Sequence, residues 1–278
     1  MIVYPSFDKI AFEIGPFFGH GPLKVHWYGI MYLIAFAAGW FLARLRAKKP
    51  GSTWKPVDVD DFLFFCMLGT ILGGRLGYVF FYGLSYWSAD PWYPLKITDG
   101  GMSFHGGLIG VMIALAVFAV RRKRRIADVF DFAAPLPGIG LCAGRIGNFI
   151  NGELWGKPTD VPWGFQFEGQ VRHATQLYEA ALEGVVLFII IWIYTSKPRP
   201  RMAPSGLFLI LYSLARITVE FWRLPDSHLN EASGGYLVGH WFTMGMLLSL
   251  PMLLVGATLM FMAYRRRETS GNFSAVPA

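Results

Sequence analysis

The sequence predicts an all-α membrane protein of seven transmembrane helices, with the N-terminus outside and the C-terminus inside. Composition is the first reason: 54% of the 278 residues are hydrophobic, only 15% are charged and the mean hydropathy is +0.41. A soluble domain carries roughly 25% charged residues. The second reason is a series of apolar stretches, each about the 17 to 25 residues that a helix needs to cross a bilayer. The third is the distribution of basic residues, which fall between those stretches rather than at random.

The stretches run over residues 25–43, 61–82, 104–120, 129–147, 176–194, 205–222 and 239–264. One basic cluster (Arg44, Arg46, Lys48, Lys49, Lys55) follows the first. Arg121 to Arg125 follow the third, Lys197, Arg199 and Arg201 the fifth, and Arg265 to Arg267 the seventh. Basic loops stay cytoplasmic, so the four clusters share one side only if the chain starts outside and ends inside. Asp58, Asp60 and Asp61 stand before the second span, Asp128 before the fourth and Ser205 at the sixth, as helix starts prefer. Pro135 and Pro137 predict a kink in the fourth.

The whole chain, 1–278, reads as a single integral membrane domain, with no soluble domain, long linker or clear repeat. The first 24 residues do not read as a cleavable signal: no basic start leads into an apolar run, and Asp8 and Glu13 interrupt them. They are expected at the outer interface. The formal charge of +7 comes mostly from the four loop clusters, which argues for membrane topology and against nucleic-acid binding. Cys66 and Cys142 lie within apolar stretches and read as small buried hydrophobes. There is no CxxC, HExxH or His pair at helical spacing, so neither metal nor cofactor is expected.

Ionisable side chains inside the spans are the functional signal, because each costs several kcal/mol by roughly any scale of membrane insertion. The run GRIGNFINGELWG, residues 144–156, sets Arg145, Asn148, Asn151 and Glu153 among four glycines. At about 1.5 Å per residue, Arg145 falls roughly 25 Å, Arg75 about 20 Å and Arg216 about 16 Å from the cytoplasmic start of its helix. Tyr28, His105, Tyr178 and Glu179 open helices that descend from the outside. The convergence is therefore toward the outer leaflet, beneath external loops 83–103, 148–175 and 223–238.

Each group also has a plainer reading. Arg216 and Glu220 are four residues apart, with Arg223 near by, and can form an internal ion pair. Glu179 and Glu183 share a face and can neutralise arginines. Arg75, beside Gly73, Gly74 and Gly77, either reaches a ligand or caps a close helix crossing. Against these stands a count: Arg145 and Arg75 add positive charge to the region, and a surplus of arginine calls for an anion. Arginine binds phosphate bidentately and keeps its charge, and a phospholipid headgroup is the phosphate nearest to hand. His105, in GGMSFHGGLIG, reads either as a hydrogen-bonding interfacial residue or as a base. His20, His26, His173, His228 and His240 have weaker claims.

The run at 144–156, with HWYG at 26–29, GGRLGYVFFY at 73–82, DGGMSFHGGLIG at 99–110, QLYEAALEG at 176–184 and RITVEFWRLPD at 216–226, resembles the prolipoprotein diacylglyceryl transferases over nearly the whole chain. The resemblance implies a multi-pass enzyme of the bacterial inner membrane, N-terminus periplasmic, C-terminus cytoplasmic, with a small periplasmic loop region and an active site toward the periplasm. It implies transfer of the diacylglyceryl group of phosphatidylglycerol to the lipobox cysteine of a prolipoprotein signal peptide, with release of glycerol-1-phosphate. The family's signature residues correspond to Arg145, Asn148, Glu153 and Gly156, its histidine to His105, its first-helix tyrosine to Tyr28, its fifth-helix acid to Glu179 and its sixth-helix pair to Arg216 and Glu220. One departure stands out: the family's Arg-His-Pro is here Arg172, His173, Ala174.

Residues and resemblance suggest one chemistry. Arg145 and Arg216 would hold the phosphate and stabilise the charge that builds as the C–O bond breaks. Asn148 and Asn151 would orient headgroup oxygens, and Tyr28 the thiol or the headgroup. His105 is the candidate base for a thiol that is only a few per cent ionised near neutrality. Arg75, Glu153, Gly156, Glu179 and Glu220 complete the expected substrate-binding set. A transporter, a seven-helix receptor and a water-using lipid hydrolase are the rivals. The first lacks paired broken helices in repeated halves, the second has no use for the asparagine- and glycine-rich run, and only product analysis separates the third.

Overall fold

A computed structural model describes residues 1–16, 21–96, 100–225 and 234–272. His20, Asp99, Asp226 and His228 lie outside the described residues. The chain is a helical, multi-pass membrane protein. Among the described residues five helices are long and apolar enough to cross a bilayer, and a broken pair makes six. They are α1 (Trp27–Ala47), α2 (Pro56–Tyr82), which the short α3 (Leu84–Ala89) follows, α4 (Phe104–Arg121), the continuous helix Thr175–Tyr194 and α10 (Met244–Arg266), with α5 (Ile126–Ala133) and α6 (Pro137–Asn151) as the pair.

The expected fourth span is thus two helices, interrupted at 134–136, with Pro135 in the break and Pro137 as the first residue of α6. The expected sixth span forms as α9 (Ala203–Glu220), but it is not among the helices apolar enough to count, because Arg216 and Glu220 dilute it. Several helix starts also differ from expectation. α2 begins at Pro56 and uses Asp58 to accept the Lys55 amide, and α9 begins at Ala203 with Pro204 in its first turn rather than at Ser205.

Two compact units make up the described chain, residues 1–39 with 133–269 and residues 40–132 with 270–272. In the second unit α2 packs along α4 on glycines. A Cβ at Gly77 would come within 2.7 Å of Gly106 Cα, and one at Gly73 within 2.7 Å of Gly110 Cα, so only glycine permits the approach. At the end of this unit that carries the first two basic clusters, Trp54 stacks 3.7 Å from Phe132 and its Nε1 donates to Asn272 Oδ1 at 2.8 Å. The Gly271 amide and Asn272 Nδ2 in turn donate to Asp128, at 2.9 and 2.7 Å. The acids expected to open α2 serve as partners there: Asp60 for Arg44 at 2.6 Å, Asp58 for Arg124 at 3.3 Å and Asp61 for Arg122.

In the first unit α9 and α10 cross at Gly206 and Gly256, where an added Cβ on either would lie 2.9 Å from the other's carbonyl oxygen. The third and fourth basic clusters meet at one end, with Arg201 on Glu268 and an isolated bridge between Pro200 and Thr269. Strands β2 (Ile10–Ile14) and β3 (Leu23–His26) form a hairpin leading into α1. Strand β1 (Ile2–Val3) pairs in parallel with β4 (Phe165–Phe167), which pairs with β5 (Gln170–Arg172). Tyr4 carries this small sheet onto the end of α6, donating to the Phe149 carbonyl at 2.7 Å within a cluster of Phe149, Trp155 and Phe167 rings.

Candidate functional site

The sequence GRIGNFINGELWG forms the last turns of α6 and the loop after it. Gly152, at φ 71°, closes the helix with its amide on the Phe149 carbonyl, and the Glu153 amide reaches the Asn148 carbonyl at 3.0 Å. The chain therefore turns back, and the Glu153 carboxylate receives Asn148 Nδ2 at 3.2 Å and Asn151 Nδ2 at 3.3 Å. Gln176 Nε2 donates to the Glu153 carbonyl, and Thr175 Oγ1 to the Leu154 carbonyl at 2.8 Å, tying the loop to the start of the next helix.

Gly156 is explained by packing. A Cβ there would lie 2.6 Å from both Thr175 Cγ2 and the Trp222 carbonyl oxygen, and its own amide donates to the His173 carbonyl at 2.9 Å. His173 Nδ1 stands 3.0 Å from the Tyr178 hydroxyl, to which Trp163 Nε1 donates. Burial, and then the positive charge of Lys157, hold the His173 imidazole below its usual range. The Pro-to-Ala departure changes little in the backbone here: Ala174 has φ −80°, a value proline also takes.

The helix Thr175–Tyr194 is α7 (Thr175–Glu179), a π-helical segment Ala180–Val186 and α8 (Leu187–Tyr194). π turns inside α-helices cluster at functional sites. This one sits close against α6: a Cβ on Gly184 would come within 2.6 Å of Cys142 Cβ, and one on Gly138 within 2.7 Å of Phe188 Cβ. Cys142, like Cys66, is a free and half-buried thiol.

That close packing sets Glu179 and Glu183, both fully buried, among the arginines of α6 and α9. Arg145 Nε lies 3.2 Å from Glu179 Oε2, and its Nη2 3.2 Å from Glu183 Oε2. Arg216 Nη1 pairs with Glu179 Oε1 and stands 3.7 Å from Glu183 Oε1, while its Nη2 meets Glu220 Oε1 at 2.6 Å. Glu220 is fixed further by Thr243 Oγ1 at 2.7 Å and approached by Arg223 at 3.5 Å. Tyr212 of α9 shares the electrostatic field of this group.

The expected surplus of arginine is therefore corrected within this unit. Among the described residues Arg145, Arg216 and Arg223 face Glu179, Glu183 and Glu220, three charges against three. Two guanidiniums held together in apolar surroundings repel unless carboxylates separate them, and the internal ion pairing read as the plainer alternative is what forms. Arg145 keeps Nη1 outside these pairs, and its side chain retains 21% exposure.

Tyr28 belongs to the same unit and packs against α6. A Cβ on Gly147 would be 3.0 Å from its ring, two residues along α6 from Arg145, and its own partner is the Tyr32 ring at 5.3 Å. Arg75 and His105 belong to the other unit. Arg75, expected to reach a substrate phosphate, is 2% exposed and spends its donors on the carbonyls of Tyr93 (2.8 Å), Pro94 (3.3 Å), Gly100 and Gly101. It clamps the segment after α2, with the Tyr93 ring 4.7 Å beneath its guanidinium. His105 is exposed in the first turn of α4, which Ser103 caps by accepting the Gly106 amide.

Sequence reasoning did not single out Gln176, Thr243 or Tyr212. Gln176 opens the recognised Gln-Leu-Tyr-Glu element without having been given a role, and nothing local says that its amide reaches a carbonyl 23 positions back. Among the described residues no group of three His, Cys, Asp or Glu is arranged to hold a metal ion.

The family model for prolipoprotein diacylglyceryl transferase matches residues 15–262. A phosphatidylglycerol–prolipoprotein diacylglyceryl transferase of Oleidesulfovibrio alaskensis is 52% identical over 271 residues, covering 96% of this chain and 97% of that protein. One of the same name from Coxiella burnetii is 50% identical over 271 residues, 96% of this chain and 100% of the relative. Another, from Ectopseudomonas mendocina, is 49% identical over 275 residues, 98% and 99% of the two chains.

Proposed function

The chain belongs to the prolipoprotein diacylglyceryl transferase family, and from that membership we propose how its residues act. The enzyme transfers the diacylglyceryl group of phosphatidylglycerol to a prolipoprotein, the first step of lipoprotein maturation. The acceptor is the lipobox cysteine of the signal peptide: its sulfur bonds to the glyceryl carbon, the C–O bond to phosphate breaks and glycerol-1-phosphate leaves.

The observation that carries the site is the pair of arginines, Arg145 and Arg216, held side by side by shared carboxylates at the end of α6. Glu179, bridging them, fixes both guanidiniums before a ligand arrives, and preorganised charge of this kind is what a departing phosphate needs. Arg145 Nη1 is the donor left for a phosphodiester oxygen, and the Arg216 guanidinium backs it. Glu220, with Thr243, keeps Arg216 in place.

Asn148 and Asn151 hold Glu153, so the three together present acceptors to the free hydroxyls of the glycerol headgroup. Gly156 keeps the loop that carries them packed on Thr175 and Trp222. Tyr28 packs on α6 at Gly147 and orients the headgroup or the thiol. His105 is the base for the thiol; its exposure and its match to the family histidine support the role. Arg75 contributes by shaping the segment after α2.

The membrane arrangement we infer is seven spans in the bacterial inner membrane, N-terminus periplasmic, C-terminus cytoplasmic, with the site toward the periplasm. Gathering of the first two basic clusters at one end of their unit, and of the last two at one end of theirs, supports it. Both the lipid and the lipidated peptide then move sideways between helices, since neither crosses water readily.

The test is mass spectrometry of a synthetic lipobox peptide incubated with phosphatidylglycerol and purified protein. A diacylglyceryl mass gain with wild type, lost in Arg145→Ala, is the expected result. Free diacylglycerol with an unmodified peptide would identify a hydrolase instead.

A further inference from the structure

Among the described residues the three arginines of this cluster are matched by three glutamates before any lipid arrives. A phosphatidylglycerol headgroup brings one negative charge into that balanced, buried group. Uncompensated charge in such a place is expensive, and the usual relief is a proton on the carboxylate least able to hold its charge.

The geometry distinguishes the three carboxylates. Glu179 accepts its hydrogen bond on Oε1 from Arg216 Nη1 and has Arg145 Nε 3.2 Å from Oε2, an ion pair without a hydrogen bond, so a guanidinium stands close to each of its oxygens. Glu220 has Arg216 at 2.6 Å and the Thr243 hydroxyl at 2.7 Å. Glu183, fully buried, accepts a single hydrogen bond, from Arg145 Nη2 at 3.2 Å; its Oε1 is 3.7 Å from Arg216 and receives no hydrogen bond. That one hydrogen bond comes from the guanidinium assigned to the incoming phosphate.

We propose that Glu183 is the proton-accepting counter-ion of the phosphate site: when the headgroup engages Arg145, Glu183 gives up its share of that guanidinium and takes up one proton. The inference rests on the phosphate-site reading of Arg145 and Arg216. The step is non-covalent and balanced: one phosphodiester charge enters, one proton enters from solution, and the proton returns when the phosphate product departs. The groups facing Glu183 are Arg145 from α6, Arg216 and Tyr212 from α9, and Glu179 on its own helix. The π-helical segment carrying Glu183 gives it a backbone setting distinct from that of Glu179, which lies in the preceding α-helical turn.

The experiment is calorimetric titration of the full chain, in zwitterionic detergent, with short-chain phosphatidylglycerol, run in two buffers of different ionisation enthalpy. The expected wild-type result is uptake of about one proton per lipid bound, with apparent Kd rising about tenfold per pH unit on the alkaline side. Glu183→Gln, which mimics the protonated acid, is expected to bind with no proton uptake and a flat pH profile. Zero uptake by wild type, or undiminished uptake in Glu183→Gln, overturns the proposal, and the wild-type measurement decides even if the variant does not fold. Arg145→Ala separates the premise from the inference. Binding that survives Arg145→Ala overturns the phosphate-site reading itself; binding lost in Arg145→Ala, with zero uptake by wild type, overturns only the role of Glu183.

Discussion

Glu179 and Arg145 face each other between two packed helices, the carboxylate Oε2 3.2 Å from the guanidinium Nε, and the other oxygen of Glu179 holds Arg216. One fully buried acid thus keeps two cations apart and aligned. Removing its charge while leaving its shape is expected to cost about 3–5 kcal/mol of stability, because both guanidiniums lose a partner at once. Thermal unfolding of Glu179→Gln in detergent measures this. Adding Arg216→Met to that variant should recover part of the loss, so a double-mutant cycle with strictly additive costs would contradict the coupling.

His105 is assigned as the base from its exposure and its match to the family. His105→Gln should lower turnover by about 100-fold or more near pH 7, in line with general-base contributions. The loss should shrink as pH rises and the thiol ionises unaided. Near-normal turnover at pH 7, measured by peptide mass, would remove His105 from the chemistry.

The α2–α4 crossing depends on glycine. A side chain at Gly77 would push its Cβ to within 2.7 Å of Gly106 Cα, a backbone atom that cannot move aside alone. Gly77→Ala should destabilise the protein by about 1–3 kcal/mol, and Gly77→Leu should sharply reduce folded yield. Size-exclusion profiles and melting temperatures report both.

Trp54 fills the space between Phe132, Phe62 and Phe118 and is 3% exposed. Trp54→Ala should cost about 3–5 kcal/mol. Because the same indole donates to Asn272, limited proteolysis should then cleave residues 270–272 faster than in wild type.

His173 supplies a pH dependence with a definite sign. Its pKa is lower in the folded state than the ordinary 6.5, so in the interval between the two values the unfolded loop binds the proton and the folded loop does not. Local stability is therefore complete above about pH 6.5 and falls as pH drops below it. Hydrogen exchange of the Gly156 amide, which donates to the His173 carbonyl, should accelerate beyond the intrinsic trend below that pH. His173→Gln should lose that excess.

The apolar stretches were legible in the sequence because burial in lipid demands length and composition, and both are local properties. The break at Pro135 and Pro137 was legible for the same reason. Partner choice was not. Arg75 and Arg145 look alike as charged residues among glycines, yet one binds the carbonyls of a segment 18 to 26 positions on and the other binds carboxylates 34 and 38 positions on. Those pairings depend on which helices pack together. Gly156 stands out in the motif, but its reason, contact with Thr175 and Trp222, emerges only once the loop is closed.

The stapling of residues 270–272 onto Asp128 and Trp54 sets an order for biogenesis. These residues follow Asp128 by more than 140 positions, so they leave the ribosome only after α6 to α10 have been synthesised. Until then Asp128 lacks the bonds that the tail supplies and the Trp54 indole lacks its acceptor. Membrane insertion of the early helices therefore precedes final locking of their own unit by the whole time needed to translate the rest.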